Sequence, residues 1–185
     1  GLLCAHPEKS GGESEIASAM SIYNELLAHH PEYLEPLFGG FYFDLRGEGV
    51  TDDPDEVTFN RVPVFSYFDG RLSCRFNAKS IIEGQMKAGM PLGGLALDAV
   101  QAVGDLASRS DLRFDLTFRR GDIQILNNHM ILHARGGFED FPEPDRGRNL
   151  LRLWVNLRDG RTLAPEFADR LNTGPRGGVM IREGV

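Results

Sequence analysis

Cysteine is nearly absent. Cys4 and Cys74 are the two in 185 residues, and their spacing suits no metal cluster, so neither a disulfide framework nor a cysteine-rich metal site is available. That usage fits a reducing cytoplasm. Lysine is scarce too: Lys9, Lys79 and Lys87 stand against seventeen arginines, and the formal net charge is -7. The chain therefore lacks the basic face that nucleic acid requires for counterion release. No apolar run approaches the roughly 18 residues of a membrane-crossing helix. GLLCA, followed at once by HPEKSGGE, is too short for a signal peptide. Nucleic acid and membrane are set aside as partners. A small anionic ligand is not, because the planar fork of an arginine suits a carboxylate.

What is present is ordinary for one globular core: 41% hydrophobic and 25% charged residues. GLLCA (1–5) reads as a buried strand and HPEKSGGES as a loop. SAMSIYNELLAHH (18–30) carries an amphipathic helical stripe, and PEYLEPLF opens a second short helix with Pro31. FYFDLR (41–46) looks like a strand. VPVFSYF and RLSCRFN flank Asp69-Gly70, the signal of a tight hairpin. SIIEGQMKAG and PLGGLALDAVQAVGDLASRS are helical. LRFDLTF (112–118) alternates strictly, and IQILNN, MILHA and NLLRLWVNL follow as strands. The expectation is a mainly β protein with helical insertions, its core a β-sandwich or jelly-roll rather than a parallel βαβ sheet. Residues 1–165 should form that core and 166–185 a tail. Phe114, Leu116, Phe118, Ile123, Ile125, Leu153 and Val155 should be buried in it, with the helices outside.

The chemistry concentrates in NNHMILHAR (127–135). Histidines four apart can grip zinc from a helix, but this run lies among strands and Met130 replaces the acidic residue of H-E-x-x-H, so that reading fails. On a strand, a lone histidine is more often a satisfied core residue than a ligand. Arg148 and Arg152 change the balance: they follow His133 by 15 and 19 residues and, four apart on a strand, point the same way. Two inward arginines call for anionic partners, either a ligand or an internal carboxylate such as Asp122 or Glu139. Asn127 and Asn128 read as turn residues satisfying the backbone, and Arg135 as a surface salt bridge or a cover at the cavity mouth.

Taken in order, SGGES (10–14), SIYNELL, PVFSYFDGRLSCRFN, RRGDIQILNNHMILHAR and RNLLRLW resemble the TauD/TfdA family of Fe(II)- and 2-oxoglutarate-dependent dioxygenases over nearly the whole chain. The resemblance implies a double-stranded β-helix, a jelly-roll relative, with iron held by two histidines and one carboxylate. It implies His133 as the second histidine, and Arg148 as the partner of the distal carboxylate of 2-oxoglutarate. Ser14 would help hold that carboxylate, and Arg152 would contact cosubstrate or an anionic substrate. His129 falls where the family needs no ligand. The implied activity is hydroxylation of a small organic substrate with O2, 2-oxoglutarate being decarboxylated to succinate.

The family's H-x-D/E motif has no good match. His6-Pro7-Glu8 imitates it, but inside the loop and at the wrong spacing. The expectation is therefore an H-x-D/E about ten residues before Gly1, since such an iron site takes three protein ligands. The piece alone should then bind iron weakly and be poorly stable or oligomeric, because GLLCA would form an open sheet edge. Two rivals stand beside the enzyme: a non-catalytic jelly-roll binding protein for small molecules, and a cupin-like metal enzyme, which SYFDGRLSCRFN disfavours by offering no histidine. The substrate itself is not legible.

Overall fold

The computed structural model describes residues 1–46, 53–155, 157 and 160–167. Ten strands are numbered in chain order: β1 Leu2–His6, β2 Ser10–Gly11, β3 Ser14–Ser18, β4 Phe65–Phe68, β5 Arg71–Cys74, β6 Arg113–Leu116, β7 Ile123–Gln124, β8 Ile131–Arg135, β9 Phe138–Glu139 and β10 Asn149–Arg152. Four helices, α1 Ala19–His29, α2 Leu34–Gly39, α3 Ala78–Lys87 and α4 Gly94–Ser108, all lie in the excursion between β3 and β6. These two strands are nonetheless neighbours. The sheets run β10-β1-β7, β6-β3-β8, β2-β9 and β4-β5, and each of these strand pairs is antiparallel.

Local chemistry sets these elements. Ser18 caps α1, its hydroxyl accepting from Ser21 N at 3.2 Å, and Asn77 caps α3 by accepting from Ser80 N at 3.0 Å. The β4–β5 hairpin turns on Asp69 (φ 49) and Gly70 (φ 71), the left-handed pair that a two-residue turn requires. In α3, a Cβ on Gly84 would overlap the backbone of Tyr42 and Asp44, so a glycine lets the 41–45 segment lie on the helix. That segment was expected to be a strand. It pairs only through isolated bridges, Phe41 with Val62 and Asp44 with Val57. Asp44 turns its carboxylate inward to Lys87 Nζ at 2.8 Å.

The core lies between the helices and one face of the β6-β3-β8 sheet. Ile22 and Leu26 of α1, Leu37, Phe41, Val64, Phe65, Ile81, Val100 and Val103 fill it, with Ala17 of β3 buried and Leu132 of β8 packed against it. Each fully buried Ile, Leu or Phe contributes about 1.5–3 kcal/mol. This corrects the strand-built core expected from alternation. Phe118 is buried, but Leu116 is half-buried, Phe114, Ile123 and Ile125 are 63%, 67% and 81% exposed, and Leu153 and Val155 are exposed as well. Alternation separates the two faces of a strand without saying which is covered. Ala17 and Leu132 face the helices. Phe114 pairs with Ile16, on the other side, and Ile123 pairs with Leu3 on a face that is also solvent-accessible. The helices are part of the core rather than outside it. Of the expected tail, Glu166 and Phe167 complete a 3-10 turn that starts at Pro165, with Phe167 buried, and the rest lies outside the described residues.

Candidate active site

The two three-stranded sheets meet at a buried hydrogen-bonded pair. Gln124 Nε2 donates to Ser14 Oγ at 2.9 Å, linking β7 to β3. Pairing in register carries this face outward on both sides. Ser14 stands opposite Arg135 and Ile16 opposite His133, so His133 and Arg135 share the face of Ser14. Gln124 stands opposite Leu2, and Leu2 opposite Arg152, so Arg152 shares the face of Gln124. His133 and Arg152 therefore come from the facing sides of two sheets.

The imidazole of His133 feels that arrangement. Burial, and after it the charge of Arg152, lower its pKa below the ordinary value. The ring is consequently neutral at neutral pH with a lone pair to offer, although the residue is open to solvent along β8. Arg152 has no ion pair among the described residues, so an internal carboxylate does not neutralise it there.

Arg148 does have one. Its Nε donates to Glu8 Oε2 at 2.8 Å, and the pair is sequestered, with side-chain exposures of 14% and 2%. The internal-pair alternative foreseen for one of the two arginines is thus realised, with a different acid. Asp122 instead accepts from Arg119 N at 2.7 Å, and Glu139 lies by Lys9 and Ser10. The Arg148 guanidinium also sits over the Phe138 ring, 5.3 Å from its centre, and the Arg148 backbone N–H donates to Asp140 Oδ1 at 2.8 Å. Cys4 lies close by. Burial pushes its thiol pKa up, the charges of Glu8 and Asp122 push the same way, and Arg148 opposes them.

The other sequence candidates fall as follows. Asn127 satisfies its turn, accepting from His129 N at 3.0 Å, while its carbonyl accepts from Met130 N and Ile131 N. The His129 carbonyl accepts from Cys74 N and its ring meets Phe167 edge-on. Arg135 stacks over Phe138 at 4.5 Å, a different contact from the salt bridge expected. Glu8 was legible only as half of a false H-x-E; its true contact spans 140 positions of chain. A pointer was nevertheless present in the two glycines that follow, since a Cβ on Gly12 (φ +74) would lie 2.6 Å from Glu8 Cδ. Gln124, the partner of Ser14, carried no such pointer.

Among the described residues no three His, Cys, Asp or Glu side chains converge as metal ligands. The ligand set that the resemblance implies is therefore not assembled among the described residues, where His133 stands without a second ligand. A cavity of about 440 Å³ lies elsewhere, between α2 and the β4–β5 hairpin, lined by Phe38, Arg61, Phe65, Tyr67 and Glu166 among others. No helix among the described residues is long and apolar enough to cross a membrane.

Comparison with known proteins gives this geometry a context. FR-33289 synthase of Streptomyces rubellomurinus is 36% identical over 175 residues, covering 93% of this chain and 50% of that protein. The taurine hydroxylase-like protein SAT17 of Stachybotrys chartarum is 32% identical over 179 residues, covering 94% of this chain and 42% of its own. Uridine-5'-phosphate dioxygenase of a Streptomyces species is 29% identical over 156 residues, covering 82% of this chain and 53% of its own. The chain thus spans about half the length of these curated relatives. A solved structure of asparagine oxygenase in complex with Fe(II), 2S,3S-3-hydroxyasparagine and succinate superposes with a TM-score of 0.57 at 14% identity. It covers 80% of this chain and 42% of that one, and shows a shared fold. The family model for taurine catabolism dioxygenase TauD, TfdA family, matches residues 1–154, and the chain belongs to that family.

Proposed function

We propose that this chain forms the cosubstrate-binding part of an Fe(II)- and 2-oxoglutarate-dependent dioxygenase that hydroxylates a small organic substrate, on a double-stranded β-helix framework spanning residues 1–165. Iron with 2-oxoglutarate supplies O2 activation for C–H hydroxylation, with succinate and CO2 as the products of the cosubstrate. His133 would give the metal one imidazole donor. The described residues do not complete the metal site, so the reading assigns no step to iron and rests on the carboxylate-binding side.

The observation that carries it is the pair of arginines four apart: Arg148, just before β10, is sequestered at 14% exposure, and Arg152, on β10, has no ion pair among the described residues and lends its charge to the surroundings of His133. In this reading Arg148 holds the distal carboxylate of 2-oxoglutarate through its guanidinium fork. Ser14, buried beside Gln124, has a hydroxyl that can turn toward the same carboxylate. Arg152 is then available for an anionic group of the substrate. Relatives named for taurine and for uridine-5'-phosphate, a sulfonate and a phosphate ester, fit that expectation.

Arg148→Lys is the test. It keeps the charge and removes the fork, so in the intact protein it should raise the KM for 2-oxoglutarate about tenfold or more, with a smaller change in kcat. Succinate formation with an unaltered KM would contradict the assignment.

A further inference from the structure

We infer that Glu8 is a positioning residue for Arg148, holding the guanidinium by its Nε and leaving the Nη edge of the fork free for an incoming carboxylate. This deepens the reading above and rests on it, the carboxylate being the distal one of 2-oxoglutarate.

Four observations converge. Glu8 is almost wholly buried, yet the donor on its Oε2 is Arg148 Nε at 2.8 Å, while Oε1 is buried with no partner among the described residues. A carboxylate embedded in a structural network would have both oxygens satisfied; this one is held chiefly by the arginine it orients. The loop is built around it as well. Gly12 takes φ +74, and any Cβ there would strike the Glu8 carboxyl group. Arg148 is fixed from two further directions, its backbone N–H by Asp140 and one face of its guanidinium by Phe138. Among the described residues the Nη atoms have no acceptor. That edge remains for a bidentate partner.

Arg135 lies over the same ring, with its guanidinium 4.5 Å from the Phe138 centre. Two guanidinium groups thus meet at one aromatic ring, with the Glu8 carboxylate on the Arg148 Nε and the Asp140 carboxylate on the Arg148 backbone N–H. A guanidinium fixed before its ligand arrives loses less rotamer freedom on binding. Without Glu8, Arg148 would have to be ordered by the cosubstrate itself.

The test compares two ligands on the intact protein with Mn(II) in place of iron, by calorimetric titration. 2-Oxoglutarate carries the distal carboxylate; 2-oxobutyrate shares the oxo-acid end and lacks it. Glu8→Ala should weaken 2-oxoglutarate about tenfold and leave 2-oxobutyrate within about twofold of the wild type. Glu8→Gln keeps the volume and a neutral acceptor for Nε, and should fall between the two. In turnover, both variants should raise the KM for 2-oxoglutarate while kcat at saturation and the KM of the organic substrate stay near the wild type. If Glu8→Ala does not fold, Glu8→Gln decides alone. Affinity for 2-oxoglutarate within about twofold of the wild type, or equal losses for both ligands, would overturn the role of Glu8. A wild type that does not prefer 2-oxoglutarate over 2-oxobutyrate would overturn the functional reading, and this inference with it.

Discussion

Among the described residues, the buried carboxylates Glu8 and Asp44 are each paired with a cation, and each pair has a different task. Glu8–Arg148 faces the proposed site, while Asp44–Lys87 ties the 41–45 segment to α3. For Asp44, burial pushes the carboxyl pKa up. The Lys87 hydrogen bond, the Arg46 backbone N–H, the charge of Lys87 and a hydrogen bond with Glu83 oppose it and bring the value below the ordinary 3.8. A folded-state pKa below the unfolded one stabilises the protein above the unfolded value, and that stabilisation is lost as pH falls through the folded one. Acid should therefore erode the contribution of Asp44. The Tm difference between wild type and Asp44→Asn should be largest near about pH 6 and shrink toward about pH 3. Lys87→Met, which leaves Asp44 the Arg46 backbone N–H but not its ammonium partner, should lower stability at neutral pH in denaturant titrations. A pH-independent difference for Asp44→Asn would show that the pair is not coupled to proton uptake.

Helices and hairpin were the most readable elements, because their signals are local. The α1 stripe and the Asp69-Gly70 turn each act within a few residues of chain. FYFDLR misled because aromatic alternation resembles a strand, whereas its geometry is dictated by close approach to α3 at Gly84. That approach makes a prediction at the scale of the helix. Gly84→Ala should destabilise by about 1–3 kcal/mol through overlap with the 42–44 backbone. Gly104→Ala, in α4 with open space around the new methyl, should instead stabilise by about 0.5–1 kcal/mol through helix propensity. Chemical denaturation of both variants separates the two effects; equal behaviour would contradict the packing argument. His133 and Arg152 were singled out from the NNHMILHAR and RNLLRLW runs, whereas Ser14 and the roles of all three came from the family resemblance. The contact between Glu8 and Arg148 was not readable, since nothing local links residues so distant in sequence.

At the scale of the molecule, the covered face of each sheet was the illegible part. Period-two alternation in LRFDLTF marked a strand correctly, yet the apolar side chains of Leu3, Ile123, Ile125, Leu151 and Leu153 are exposed rather than buried. Burial depends on what packs against a face, a property of the assembled fold and not of a strand's own pattern. The antiparallel framework, with its helices gathered in one excursion, was by contrast legible from the order of elements. In the proposed function this framework serves 2-oxoglutarate chemistry through His133 and Arg148. Its most direct test is release of labelled CO2 from 1-labelled 2-oxoglutarate by the intact protein, supplied with Fe(II), O2 and a panel of sulfonates, phosphate esters and amino acids. We predict succinate in equal amount with CO2, abolished by chelation or by His133→Ala, and with Arg148→Lys restored only at raised 2-oxoglutarate. CO2 release that persists in His133→Ala, or no release with 2-oxoglutarate bound and Fe(II) present, would contradict it.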